Sequence, residues 1–435
     1  MSDFELPDTR YALSGDVSIA YQTMGDGPVD IIIVPGIVSH VEFVHEFPGY
    51  TALLRRLSSF ARVVTFDKRG QGLSDRISGA PSLEQRVDDV RAIMEDIGSR
   101  RAVLLGFSEG APMSAFFAAA NPERVSQLIL FGGFAKSFAT DEMIARRVKV
   151  WGAGEMINGF WPSQATNREA VKQVAKFERL SASPGAIKAF MALNMMIDVT
   201  SILPTVRVPT LVLHRQTDAL VPVAAGRALA AQIPDAKYIE YPGGDHAPWA
   251  GDVEALVGDI KEFVTGDRES SAFDLERVLA TVLFTDIVDS TRSAAAMGDQ
   301  QWGRLLESHD QMAKQFVDKH RGNLVKSTGD GILATFDGPG RAVRCALAFQ
   351  TATSQIGLPL RAGLHAGEIE LRGRDVGGIA VHAAARVMAQ CGPSEVLVSR
   401  VVTDLVAGAG IKFTERGSHE LKGLPGRWDL FSASL

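Results

Sequence analysis

Over the first 265 residues, short apolar runs recur with helical stretches between them, and this alternation limits the fold more than any other feature. Residues 31–34, 63–66, 103–105, 128–131, 210–213 and 238–241 are apolar runs rather than the in–out pattern of a half-exposed strand. Strands of that kind are covered on both faces. The pattern therefore predicts a parallel sheet with helices on either side, an α/β architecture. The stretch from 134 to 204 reads as helical and rich in Met, Phe and Trp, and is expected to be a cap inserted between two strands.

At 435 residues the chain exceeds one ordinary core. The polar run Thr265-Gly266-Asp267-Arg268-Glu269-Ser270-Ser271 ends the alternation, so the reading divides the chain into residues 1–265, a linker at 266–277, and residues 278–435. The second part predicts a strand at 278–284 and a long helix at 299–319. A hairpin of 324–326 and 332–336 surrounds residues 327–331, followed by a helix from 341 to about 354 and a strand at 360–365. This mixed order predicts an α+β sandwich.

Hydrophobic content of 46% and charged content of 22% exclude a disordered chain. The two cysteines allow one bridge at most and lack metal-ligand spacing, which points to a reduced, cytoplasmic setting. The acidic N-terminus does not read as a signal peptide, and no apolar run nears the roughly 20 residues of a membrane span. Net charge is −6, but residues 278–435 hold 17 Lys and Arg against 16 Asp and Glu, so that the acidity lies in the first part. A near-neutral second part suits an anionic triphosphate, and no basic stripe points to nucleic acid.

Two constellations carry chemistry. In the first, Gly106-Phe107-Ser108-Glu109-Gly110 follows a strand and precedes an Ala-rich helix. A nucleophilic serine needs that sharp turn, with small flanking residues, to stand clear of the sheet. Asp218 follows the strand at 210–213, and His246 lies in Gly243-Gly244-Asp245-His246-Ala247-Pro248-Trp249 after the last strand. The Asp would orient the imidazole, which would take the serine proton. Asp245 reads as a loop residue, and His214 as the end of a core strand.

With Asp67-Lys68-Arg69-Gly70-Gln71-Gly72-Leu73-Ser74, these residues make the first part resemble the α/β-hydrolase superfamily. The resemblance implies an oxyanion hole from the backbone N–H groups of Ile37 and Glu109. Pro35-Gly36 stands where many members have His-Gly, and Glu109 sets a negative charge beside the developing oxyanion. A hydrolase fold kept as a scaffold or sensor is the competing reading.

In the second constellation, Phe284-Thr285-Asp286-Ile287 and Ser327-Thr328-Gly329-Asp330-Gly331 each aim a carboxylate from a strand end, as a clamp for two metal ions on a nucleoside triphosphate would. With residues 375–386 and Glu420-Leu421-Lys422-Gly423-Leu424-Pro425-Gly426, they make residues 278–431 resemble class III nucleotidyl cyclases. The resemblance implies two Mg²⁺ or Mn²⁺ ions per active site, held by Asp286, Asp330 and the carbonyl of Ile287. Asp289 is expected to face elsewhere. Lys326 and Asp375 hold the base-reading positions and match the N1 acceptor and N6 donor of adenine, favouring ATP. Arg386 holds the phosphate-binding position. His382 replaces the family's ribose-gripping Asn, which predicts slowed or unusually pH-sensitive turnover. His309, His320 and His365 lack ligand spacing.

The resemblance further implies a head-to-tail homodimer, with Asp286 and Asp330 of one protomer facing Lys326, Asp375, His382 and Arg386 of the other. The whole chain resembles bacterial adenylyl cyclases with an N-terminal hydrolase-like domain. The leading expectation is an adenylyl cyclase, fold α/β plus a ferredoxin-like α+β domain, whose first domain senses or processes a small apolar or ester ligand. The alternatives are a serine esterase or lipase with a nucleotide-binding dimerisation domain, and a silent scaffold.

Overall fold

The computed structural model describes residues 6–266, 277–372 and 375–435. The chain divides into two compact units on either side of the undescribed stretch 267–276, which contains most of the expected linker.

The first unit is built on an eight-stranded sheet, counted over the described residues: β1 (Arg10–Ser14), β2 (Val17–Met24), β3 (Asp30–Val34), β4 (Arg62–Phe66), β5 (Ala102–Phe107), β6 (Val125–Phe131), β7 (Thr210–Arg215) and β8 (Lys237–Tyr241). Their order is β1-β2-β4-β3-β5-β6-β7-β8. From β4 to β8 every pairing is parallel, as the continuous apolar runs predict. The expectation of a wholly parallel sheet needs correction at one edge, where β1 and β2 form an antiparallel hairpin and β2 meets β4 antiparallel. In β1 only alternate residues, Ala12 and Ser14, are buried, so no apolar run marks it.

Burial follows the chemistry. Ile31, Ile32, Val103, Leu104, Leu211 and Val212 are fully or almost fully buried. At roughly 2 kcal/mol each, such side chains hold the sheet centre rigid beneath the loops that follow each strand. Between β6 and β7 lie the helices Asp141–Lys149, Arg168–Ser181 and Pro184–Asn194, started by Thr140, Asn167 and Ser183 side chains that accept from the first-turn N–H groups.

The second unit has its own mixed sheet, with β9 (Arg277–Ile287), β10 (Asn323–Ser327), β11 (Ile332–Phe336), β12 (Leu360–Arg372), β13 (Asp375–Gly377), β14 (Val396–Ser399), β15 (Lys412–Glu420) and β16 (Arg427–Ser434). The order is β10-β11-β9-β12-β14-β16-β15, with β13 paired to β12. The ferredoxin-like α+β domain is thus one mixed sheet with helices packed on it. Both central strands outrun the sequence reading, β9 to Ile287 and β12 to Arg372, and the helix Ser290–Met297 precedes the expected helix Asp299–Lys319. The helix Ile379–Met388 packs on β12 so closely that a Cβ at Gly363 would lie 2.1 Å from the Met388 nitrogen. Cys345 and Cys391 are buried and form no disulfide. Among the described residues, no helix is long and apolar enough to cross a membrane.

Candidate active sites

In the first unit, Ser108 sits between β5 and the helix Gly110–Ala120 with φ of 54°, a left-handed conformation that a non-glycine residue holds only when its surroundings force it. The force is close packing. A Cβ at Gly110 would lie 2.2 Å from the Val34 carbonyl oxygen. Asp218 follows β7 and His246 follows β8, and the His246 Nδ1 lies 2.7 Å from the Asp218 Oδ2. The other carboxylate oxygen accepts from the Leu220 and Val221 N–H groups, at 2.8 and 2.9 Å. Burial alone would raise the Asp218 pKa, but the His246 and backbone donors outweigh it and hold it below the ordinary value.

Ser108 and His246 line one cavity, yet they share no hydrogen bond: the buried Nε2 of His246 has no partner. Asp218 and His246 are therefore brought together, and Ser108 shares the cavity of His246 without bonding the imidazole. Ile37 and Glu109 line it too, and a Cβ at Gly36 would sit 3.2 Å from the Ser108 Cβ. His214, fully buried in β7, bonds the Val221 carbonyl at 2.9 Å and lies 3.7 Å from Asp218.

The concern over a bare charge at Glu109 needs correction. Its side chain is buried and paired with Lys68 at 3.1 Å, with Arg86, and with the amide of Asn194. Two cations meet one anion, so no net negative charge remains in this cluster. Burial lowers the Lys68 pKa to about 8, with Glu109 working in the opposite direction. Asn194 belongs to the inserted helices, and its carbonyl also accepts from Arg86 at 2.9 Å.

In the second unit, the β10–β11 turn is pinned to the end of β9. The Ile287 N–H donates to the Asp330 carbonyl at 2.7 Å, and a Cβ at Gly331 would lie 1.8 Å from the Thr285 oxygen. Only glycine lets the turn approach so closely. Asp286 and Asp330 are thereby side by side on neighbouring backbone segments. Each carboxylate already has a partner: Asp286 accepts from Arg361 Nε at 2.7 Å, and Asp330 from Ser290 Oγ at 2.7 Å. Asp289 is exposed and 3.9 Å from Arg292.

Among the described residues, no three His, Cys, Asp or Glu side chains gather as a metal cage. Two hard carboxylates and a carbonyl do suit Mg²⁺ or Mn²⁺ that take their remaining oxygen ligands from phosphate and water. Lys326 and Asp375 form an ion pair at 2.7 Å on the surface. His382 and Arg386 lie one turn apart, both exposed, on the helix Ile379–Met388, and Arg386 Nε donates to the Lys422 carbonyl at 3.1 Å. His309 and His365 are buried, and His320 bonds the Phe316 carbonyl.

Two family models match the chain. The one for "Serine aminopeptidase, S33" covers residues 30–253, more than half of it, and the one for "Adenylate and Guanylate cyclase catalytic domain" covers 275–432. The chain belongs to the first family through its α/β-hydrolase domain, and residues 275–432 match the class III nucleotidyl cyclase catalytic domain. The cyclase domain is similar to Putative adenylate cyclase 3 of Rhizobium meliloti, at 31% identity over 34% of this chain. That match spans about a quarter, 27%, of the relative's length. The hydrolase domain is similar to the Putative carbamate hydrolase RutD of Azorhizobium caulinodans, at 26% identity over 54% of this chain and 91% of that protein. Its fold matches a solved hydrolase from Pseudomonas aeruginosa PA01, with a TM-score of 0.52 and 23% identity over 59% of this chain and 98% of that one.

Several site neighbours escaped the sequence reading. Lys68 stood inside a quoted motif but had no assigned role, and Arg86 and Asn194 carried no motif at all. Arg361 could have been found only from the β9–β12 register, in which it lies opposite Asp286.

Proposed function

We propose that the chain is an adenylyl cyclase, converting ATP to 3′,5′-cyclic AMP and pyrophosphate at two composite sites of a homodimer. The observation that carries this is the pair Asp286 and Asp330, side by side because the Ile287 N–H bonds the Asp330 carbonyl. Bound there, two divalent cations would neutralise the triphosphate and favour ionisation of the ribose 3′-hydroxyl. The chain's own residues do the rest. Asp286, Asp330 and the Ile287 carbonyl would hold the ions, and Ser290 orients Asp330. Lys326 and Asp375 exchange their mutual ion pair for the adenine edge. Arg386 holds phosphate oxygens, and His382 donates to the ribose. As the 3′-oxygen bonds the α-phosphorus, the bond to pyrophosphate breaks and the hydroxyl proton passes to solvent. Arg361, which pairs with Asp286 when no ion is bound, would give up that contact to a cation and leave a positive charge near the site.

Purified full-length protein with Mn²⁺ and ATP is expected to form cyclic AMP, and Asp286→Ala to lose it by at least a hundredfold. No product with either Mn²⁺ or Mg²⁺ overturns the reading.

A second activity, serine ester hydrolysis in the first domain, is favoured by the 2.7 Å contact of Asp218 with His246. Ser108 Oγ would attack the acyl carbon while His246 takes its proton and returns it to the leaving alcohol; water then releases the acid. Hydrolysis of p-nitrophenyl butyrate, lost in Ser108→Ala, is the expected result.

A further inference from the structure

The cavity beside Ser108 holds about 230 Å³, below the 300 to 1,000 Å³ usual for drug-sized ligands, and its lining is overwhelmingly apolar. Phe107, Phe131 and Trp249 come from the sheet side, and Met143, Trp151 and Phe160 from the inserted segment. One cation breaks this pattern. Arg147, on the helix Asp141–Lys149, lines the same cavity, is only partly exposed, and makes no side-chain hydrogen bond or ion pair among the described residues.

Two other buried guanidinium groups of this unit have protein partners. Arg86 bonds Glu109 and Asn194, and Arg69 bonds Asp89 and Ser14. Glu178 attracts Arg147 through its charge, but its carboxylate oxygens accept from the Gly152, Gly154 and Met156 N–H groups and form no hydrogen bond with the guanidinium. Burial lowers the Arg147 pKa, against the pull of Glu178 and Glu155, yet a guanidinium stays charged. Half-buried at the wall of an apolar cavity, a fork of donors that meets no protein acceptor is free to take one from a ligand.

We infer that Arg147 is the binding site for a carboxylate on the ligand of the hydrolase domain. The ligand class is a small amphipathic acid derivative, apolar along its middle, with an ester at one end for Ser108 and a free carboxylate at the other for the guanidinium. The planar fork matches a carboxylate through two parallel hydrogen bonds, which a neutral ester oxygen cannot reproduce. The inference rests on the hydrolase reading of this cavity for which end of the ligand meets Ser108, but binding does not require turnover.

The test uses full-length Ser108→Ala protein, so that ligands persist whether or not the triad is competent. Calorimetric affinities are compared for monomethyl esters of straight-chain diacids from succinate to suberate and for their dimethyl counterparts. At the best chain length the monoester is expected to bind at least tenfold tighter. Adding Arg147→Met should erase the difference while leaving dimethyl ester affinity unchanged, and Arg147→Lys should restore part of it. If Arg147→Met does not fold, the contrast in the parent protein and its loss or retention in Arg147→Lys decide the matter.

Equal affinity of the two ester types overturns the inference. So does a monoester preference that survives Arg147→Met, which would place the carboxylate at the oxyanion site, and so does the absence of binding by either. Failure of the hydrolase reading would show separately, as intact p-nitrophenyl butyrate with the parent Ser108 enzyme.

Discussion

His365 shows how one buried side chain sets a pH limit on the cyclase domain. Burial in β12, beside Ser399 and the Trp428 ring, drives its pKa down from 6.5 to about 4. Between those values the unfolded chain binds the extra proton and the folded one does not. Stability is therefore full above about pH 6.5 and is lost as pH falls toward 4, by roughly 3 kcal/mol. His365→Phe is expected to flatten that loss, read as a shallower acid limb in Trp428 fluorescence. At Glu109 the sign is opposite for a neutralising change. Glu109→Gln leaves Lys68 and Arg86 buried without their anion, and is expected to cost about 3–5 kcal/mol, read in urea unfolding of the hydrolase domain. For the triad, Asp218→Asn should lower kcat for p-nitrophenyl butyrate about a thousandfold or more, because His246 loses the acceptor that fixes its tautomer.

At the level of elements, the proposed metal clamp depends on one close approach. Gly331→Ala would force the β10–β11 turn off β9, since its Cβ cannot lie 1.8 Å from the Thr285 oxygen. Cyclic AMP formation is expected to vanish while p-nitrophenyl butyrate hydrolysis persists, which distinguishes local loss from general unfolding. This level also separates what was legible in the sequence from what was not. Strands β3, β5 and β7 were readable because a strand covered on both faces is apolar throughout. The β1–β2 hairpin was not, because β1 buries only alternate residues. The places of Ser108, Asp218 and His246 were readable, since each follows a strand in chain order. The Lys68, Arg86, Glu109 and Asn194 cluster was hidden, because its members come from four separate segments that meet only once the sheet and inserted helices are packed. Arg361 was hidden for a related reason: strand register, not spacing, sets it against Asp286.

For the whole molecule, the proposed dimer makes a prediction that neither domain alone would. Asp286→Ala and Arg386→Ala chains should each be inactive, and mixed heterodimers should recover part of the activity through one intact site of the two. Verified heterodimers without rescue would exclude a shared site. The contact between Arg361 and Asp286 has a consequence at this scale as well. If Asp286 binds metal as proposed, an arginine held in register against it is a tethered competitor, present at a constant local concentration that dilution cannot lower. Arg361→Met is therefore expected to tighten Mn²⁺ binding, measured by electron paramagnetic resonance, even where it slows turnover. With the arginine in place, the enzyme would stay silent until free cation outcompetes it. Output would then follow the ionic supply of the surroundings together with the supply of nucleotide.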